Sequence, residues 1–86
     1  MCHISTSKRA SEELKKIGCN AKRFLRVGVG TQSKTLDYTA LIDSSLNDSD
    51  EIIIDSNGLR VVADASNIPF LEGVTIDFNS GFTFRR

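Results

Sequence analysis

Two periodicities divide the chain. Ala10, Leu14 and Ile17 fall at i, i+4 and i+7, the spacing of one helical face, with Ser5, Thr6 or Ser7 available as an N-cap and Gly18 placed to stop the helix. Further along, the period becomes two. Leu25, Val27 and Val29 alternate with Phe24, Arg26 and Gly28, and Leu36, Tyr38, Ala40 and Ile42 alternate with Asp37, Thr39 and Leu41, which predicts two strands. After a polar loop over 44–50, Glu51-Ile52-Ile53-Ile54-Asp55 and Leu59-Arg60-Val61-Val62-Ala63-Asp64 flank Asn57-Gly58, a dipeptide that favours a tight hairpin because both residues accept positive φ. Ala65–Leu71 predicts one short helical turn near residues 66–71, capped by Ser66 or Asn67, limited by Pro69 and ended at Gly73. Val74-Thr75-Ile76-Asp77-Phe78 alternates again, and Ser80-Gly81 separates it from Phe82-Thr83-Phe84.

One helix followed by five or six short strands predicts a mostly β (α+β) fold, built as a sandwich of two sheets or a partly closed pseudo-barrel, with the helix on one side. No linker, repeat or low-complexity segment marks a second domain, so residues 1–86 are expected to form one domain with one small core. No apolar run approaches the roughly 18 residues of a membrane span. Met1-Cys2-His3-Ile4 leads straight into a polar segment, without the apolar centre of a signal peptide.

Net charge is zero but unevenly spread. Residues 1–36 carry eight Lys/Arg against two Glu, and residues 37–86 carry three Arg against nine Asp/Glu. Solvated faces that neutralise each other are the simple reading, and a basic partner-binding face the sharper one. Nucleic acid is not the expected partner: no series of aromatics interleaves the basic residues, and the pI is about 6.5.

Cys2 and Cys19 flank the predicted helix. A helix of about eleven residues rises about 16 Å, far beyond the Cα separation of about 7 Å that a disulfide tolerates. The same separation keeps them from sharing a metal within one chain. Two unpaired cysteines fit a reducing compartment, and the expected location is the cytoplasm.

The stretch Phe24-Leu25-Arg26-Val27-Gly28-Val29-Gly30-Thr31-Gln32-Ser33-Lys34-Thr35-Leu36-Asp37-Tyr38 resembles the strand–loop–strand of the A-type iron–sulfur carriers, the HesB/IscA-like family. That family runs as Leu-Arg-hydrophobic-Gly-Val, a Gly-Cys-Ser-Gly loop, then hydrophobic-x-Tyr. Asp64-Ala65-Ser66-Asn67-Ile68-Pro69-Phe70-Leu71-Glu72-Gly73-Val74-Thr75-Ile76-Asp77-Phe78 is similar to its Asp-x-x-Ser-x-x-hydrophobic-Leu-Asp-Gly-x-x-hydrophobic-Asp-Tyr/Phe run, with Asn67 or Ser66 at the serine and Glu72 at the aspartate. Ser80-Gly81-Phe82-Thr83-Phe84 resembles its Gly-Phe-x-Phe element, and Ile4–Leu14 its opening strand and helix. The order and spacing of these pieces carry the resemblance over most of the chain.

The resemblance implies a protein that holds iron or an iron–sulfur cluster through three thiolates per subunit, one in the loop and two in a Cys-Gly-Cys-like tail. Here the loop cysteine aligns with Lys34 and the following serine with Thr35. A charged ammonium has three donors and no lone pair, so Lys34 cannot ligate. The sequence given reaches Arg86 two residues after Phe84, before the family's tail cysteines. The expectation is a degenerate member with no bound cofactor.

Other chemistries find little support. Gly28-x-Gly30 lacks the helix and Lys-Ser/Thr of a phosphate loop, and glycines in a strand more often permit a bulge or close backbone approach. Asp37, Asp43, Asp55, Asp64 and Asp77 form no calcium loop. His3 has no evident nucleophile partner, so an enzyme is not expected. The expected role is protein–protein interaction in or beside cluster assembly, with a cluster-assembly protein or an A-type carrier relative as partner, a possible homo-oligomer, and Gln32, Ser33, Lys34 and Thr35 as the contact loop. The alternatives are an unorthodox iron or cluster site built from Cys2, His3 and Cys19 across an oligomer interface, and reuse of the fold for an unrelated binding role.

Overall fold

The chain enters through a two-residue strand and turns at once into a helix. After β1 (Ser5–Thr6), the Ser7 Oγ accepts the Ala10 N–H at 3.1 Å and so starts α1 (Lys8–Ile17). The helix ends at Gly18, whose N–H donates to Lys15 O at 3.1 Å, with Lys15 and Lys16 at the negative end of the helix dipole. Ala10, Ser11 and Leu14 are buried and Ile17 is half-buried. The computed structural model describes residues 3–18, 22–30 and 37–85.

The chain continues through β2 (Phe24–Gly30), β3 (Asp37–Asp43), β4 (Asp50–Ile54), β5 (Arg60–Asp64), a 3-10 helix (Ala65–Phe70), β6 (Thr75–Phe78) and β7 (Phe82–Arg85). Among the described residues these strands form two sheets, ordered β3-β2-β5-β4 and β1-β6-β7. β2 and β3 pair antiparallel without interruption from Phe24↔Asp43 to Gly30↔Asp37, so the glycines of β2 accompany no bulge. Parallel pairings join β2 to β5 and β1 to β6.

Alternation along the strands sorts the side chains. Leu25 and Val27 of β2, Ile53 of β4 and Val61 and Ala63 of β5 meet Ile4, Ala10, Leu14, Leu71, Val74 and Ile76 in one core between the sheets and the helix. Complete burial of a side chain such as Leu25 or Ile76 stabilises by about 1.5–3 kcal/mol. Phe24 and Val62 are buried on the opposite face of the four-stranded sheet, where the Arg26 guanidinium lies 5.6 Å from the Phe24 ring centroid. No helix is long and apolar enough to cross a membrane among the described residues.

Two local expectations are corrected. The hairpin expected around Asn57-Gly58 forms, with β4 and β5 antiparallel, but its turn does not hold both residues at positive φ. Gly58 alone has it (79°), while Asp55 accepts the Asn57 and Leu59 N–H groups on Oδ1 at 3.0 and 2.7 Å. The carboxylate thus caps the turn from inside and leaves the Asn57 side chain to reach β1. The 3-10 helix is capped by Asp64, whose Oδ1 accepts Ser66 N–H at 2.9 Å, rather than by Ser66 or Asn67.

Candidate functional site

The β2–β3 hairpin carries the sequence expectations, and its described frame ends at the pair Gly30↔Asp37. Gln32, Ser33, Lys34 and Thr35 lie outside the described residues, as do Leu36, Cys2, Cys19 and Arg86. The frame itself is well braced. Tyr38, next to Asp37, stacks on Phe84 of β7 with ring centroids 5.4 Å apart and donates its hydroxyl to Phe70 O at 3.1 Å. One side chain therefore ties the head of the hairpin to the second sheet and to the end of the 3-10 helix. Phe78 and Phe82 meet edge to face at 5.1 Å and extend this aromatic seam along β6 and β7.

Close approach is visible within the hairpin. A Cβ on Gly28 would lie 2.7 Å from Thr39 Oγ1, the residue opposite it. Glycine there lets the threonine side chain lean across β2.

The other end of the hairpin is held electrostatically. Arg26 donates from Nε to Asp43 Oδ2 at 2.8 Å, from Nη1 and Nη2 to both Asp50 oxygens at 2.8 and 2.7 Å, and from Nη2 to Ser45 O at 2.9 Å. This fork closes the loop between β3 and β4, and the Asp50 side chain is only 1% exposed. Hydrogen bonding to Asp50 and then Asp43 raises the guanidinium pKa further above its ordinary value. The reverse holds for the acids: Arg26 first, then the Ser44 and Ser45 N–H groups, lower Asp43, and Arg26 followed by Asn47 N–H lowers Asp50.

Two further carboxylates, Asp64 and Asp77, brace the fold. Asp64 accepts from Ser49 Oγ at 2.6 Å and from Ser66, which brings its pKa down to about 2. Asp77 accepts from Ser7 Oγ at 2.6 Å and from Arg9 Nη2 at 2.7 Å, and these bonds hold it well below the usual carboxylate range. His3 is exposed ahead of β1; its N–H donates to Glu72 Oε2 at 2.8 Å and its carbonyl accepts from Gly73 N–H at 2.9 Å. Among the described residues, no three His, Cys, Asp or Glu side chains gather so as to hold a metal ion.

Sequence reasoning missed the roles of Arg26 and Tyr38. Arg26 is the one charged residue in the apolar run from Phe24 to Gly30, a position that in a central strand calls for facing carboxylates.

Comparison with known proteins places these features in a family context. The model of the family described as iron-sulphur cluster biosynthesis matches residues 2–85. The fold is similar to that of Escherichia coli SufA, described as involved in biosynthesis of iron–sulfur clusters, with TM-score 0.76 and 16% identity over 96% of this chain and 79% of that one. It is also similar to IscA crystallised with a [2Fe-2S] cluster (TM-score 0.66, 20% identity, 95% and 78% coverage). A third similar structure is an Aquifex aeolicus protein solved by solution NMR (TM-score 0.68, 23% identity, 100% and 93% coverage). Comparison with curated protein sequences gives no match.

Proposed function

The chain belongs to the iron-sulphur cluster biosynthesis family, and on that premise we propose that it acts in cluster assembly by binding another protein, without carrying iron or a cluster itself. The observation that carries this reading is the composition of the β2–β3 connection. Its residues are Thr31, Gln32, Ser33, Lys34, Thr35 and Leu36, which offer neither a thiolate nor an imidazole. Soft thiolate donors are what iron–sulfur clusters require, and an ammonium at the aligned position repels a cation. The donor set does not fit the cargo, so no cluster-transfer step is assigned to these residues.

Retention of the frame supports a binding role. Tyr38 is locked to Phe84 and Phe70, and the hairpin is paired through to Gly30 and Asp37, so the connection issues from a fixed base. A loop with polar side chains on a rigid base can present Gln32, Ser33, Lys34 and Thr35 to a cluster-assembly protein or a carrier relative in the cytoplasm.

Anaerobic reconstitution with iron and sulfide tests the proposal. No stoichiometric charge-transfer absorption at roughly 300–500 nm, the region expected of thiolate-bound clusters, is the expected result. A stable spectrum that disappears in Cys19→Ser would overturn it in favour of a site built from Cys2, His3 and Cys19.

A further inference from the structure

β4 is the outer strand of the four-stranded sheet and pairs only with β5 among the described residues. Its hydrogen-bonding parity follows from the turn. Asp55 N–H donates to Leu59 O at 3.0 Å, so Asp55 and Leu59 form a bonded pair in a register that continues through Ile53↔Val61 and Glu51↔Ala63. Bonded and non-bonded pairs alternate in an antiparallel ladder, so the N–H and C=O groups of Ile52 and Ile54 point away from β5, toward the open edge. Asp50 shares that parity, and its N–H indeed turns outward to Asn47 O at 3.0 Å.

The side chains do not blunt this edge. β4 reads Asp-Glu-Ile-Ile-Ile, with no lysine, proline or bulge, the devices that usually protect an outer strand. Ile52 is 46% exposed and Ile54 58% exposed. A groove of about 650 Å³ runs beside the strand, with β4 as one wall and Ile68, Pro69 and Glu72 on the other. The lining is apolar apart from two carboxylates, Glu51 and Glu72, and includes no basic residue.

We propose that the β4 edge is a docking site for an extended segment of a partner protein, apolar at alternate positions and flanked by lysine or arginine, which adds as a further strand. Main-chain bonds to Ile52 and Ile54 supply the affinity, the apolar groove takes one row of side chains, and Glu51 and Glu72 select a basic partner over an acidic one. A second copy of this chain is disfavoured because its own outer strand, Asp-Glu-Ile-Ile-Ile, offers no lysine or arginine to meet Glu51 and Glu72. This inference rests on β4 and stands whatever the composition of the β2–β3 connection means for iron.

The test uses the whole chain labelled with 15N and three capped peptides: Lys-Val-Thr-Val-Thr-Val-Lys, the same peptide with glutamate at both ends, and Lys-Val-Thr-Pro-Thr-Val-Lys. The first is expected to bind and to slow hydrogen exchange at the Ile52 and Ile54 amides, a readout that needs no variant. The glutamate peptide, and Ile54→Lys with the lysine peptide, should bind about tenfold more weakly or worse, and Glu51→Lys should narrow the preference between lysine and glutamate peptides. Equal binding of the proline peptide overturns strand addition, and equal binding of the glutamate peptide overturns the basic-partner assignment. Absence of protection at Ile52 and Ile54, or protection that grows with protein concentration alone and is lost in Ile54→Lys, overturns the proposal; the latter result makes a second copy the occupant.

Discussion

The Thr6 hydroxyl donates to the carboxylate of Asp55, forty-nine residues further along, and so pins the β4–β5 turn of one sheet to the first strand of the other. Asn57 completes the contact, its side-chain amide donating to Thr6 O at 3.1 Å and to Thr6 Oγ1 at 3.0 Å. Asp55 is only 6% exposed and serves three donors: Thr6 Oγ1, Asn57 N–H and Leu59 N–H.

Asp55→Ala strands those donors and is expected to destabilise the fold by about 2–3 kcal/mol. Asp55→Asn keeps one acceptor oxygen and should lose less. Urea unfolding measures both, and a loss under about 0.5 kcal/mol for the alanine variant would show that water replaces the carboxylate without penalty.

Acid should loosen the molecule in a defined window. Asp64 is held at about 2 against an ordinary 3.8, and Asp43, Asp50 and Asp77 are lowered in the same direction. Depressed carboxylates mean that the unfolded chain binds more protons, so stability is complete above the unfolded pKa and is lost as pH falls through the folded one. The urea midpoint is expected to be level above about pH 5 and to drop between about pH 4 and pH 2. Asp64→Asn should flatten part of that slope; a midpoint that rises on acidification would contradict the assignment.

Gly28 and Thr39 should show coupling in a double-mutant cycle. Gly28→Ala places a methyl carbon 2.7 Å from Thr39 Oγ1, and a β-branched neighbour has few rotamers to escape into. A loss of about 1 kcal/mol is expected for the single variant. In a Thr39→Ala background the same change should be neutral or stabilising, since the obstacle is gone and alanine restricts the unfolded chain. Equal effects in both backgrounds would rule out the contact.

Lys34 separates partner contact from a plain solvated turn. Lys34→Ala should change stability by no more than about 0.5 kcal/mol, as surface substitutions do. Lys34→Glu should weaken capture of cluster-assembly proteins in a pull-down if the loop is the contact surface. Unchanged capture removes the loop from the proposal, and a large stability loss in the alanine variant would mean that Lys34 is not aligned with the family's loop cysteine.

Much of the fold was legible because it follows local rules. The Ser7 cap, the Gly18 stop and the Ala10–Leu14 face specify α1, and strict alternation specifies β2, β3 and β6. β1 is different. Two residues carry no periodicity, and only resemblance to a family pointed to a strand there. Asp55 and Asp64 close the predicted runs 51–55 and 59–64, yet their carboxylates organise the turns that follow, a role that depends on which donors the fold brings near. The run Ile52-Ile53-Ile54 has no alternation to show which face is covered; β4 lies at an edge, and of the three only Ile53 is buried. Sheet order is a long-range property that no window of this sequence encodes. Of the candidate site, the lack of cysteine and histidine in residues 31–36 could be read directly from the sequence, whereas the Tyr38–Phe84 brace joins positions whose proximity depends on how the sheets pack.

The parallel pairing of β1 with β6 sets a schedule for the chain's own synthesis. Ser7 N–H bonds to Ile76 O at 2.8 Å and Ser7 Oγ to Asp77, seventy residues downstream. At about 5–20 residues per second, roughly 4–14 s pass between the appearance of the helix cap and that of the strand it docks on. Throughout that interval Ala10 and Leu14 lack the β6 surface against which α1 packs. α1 thus waits for β6, made after β2 to β5 and the 3-10 helix that lie between, and a ribosome stalled before Ile76 would hold a chain with the apolar face of α1 still open to chaperones and proteases.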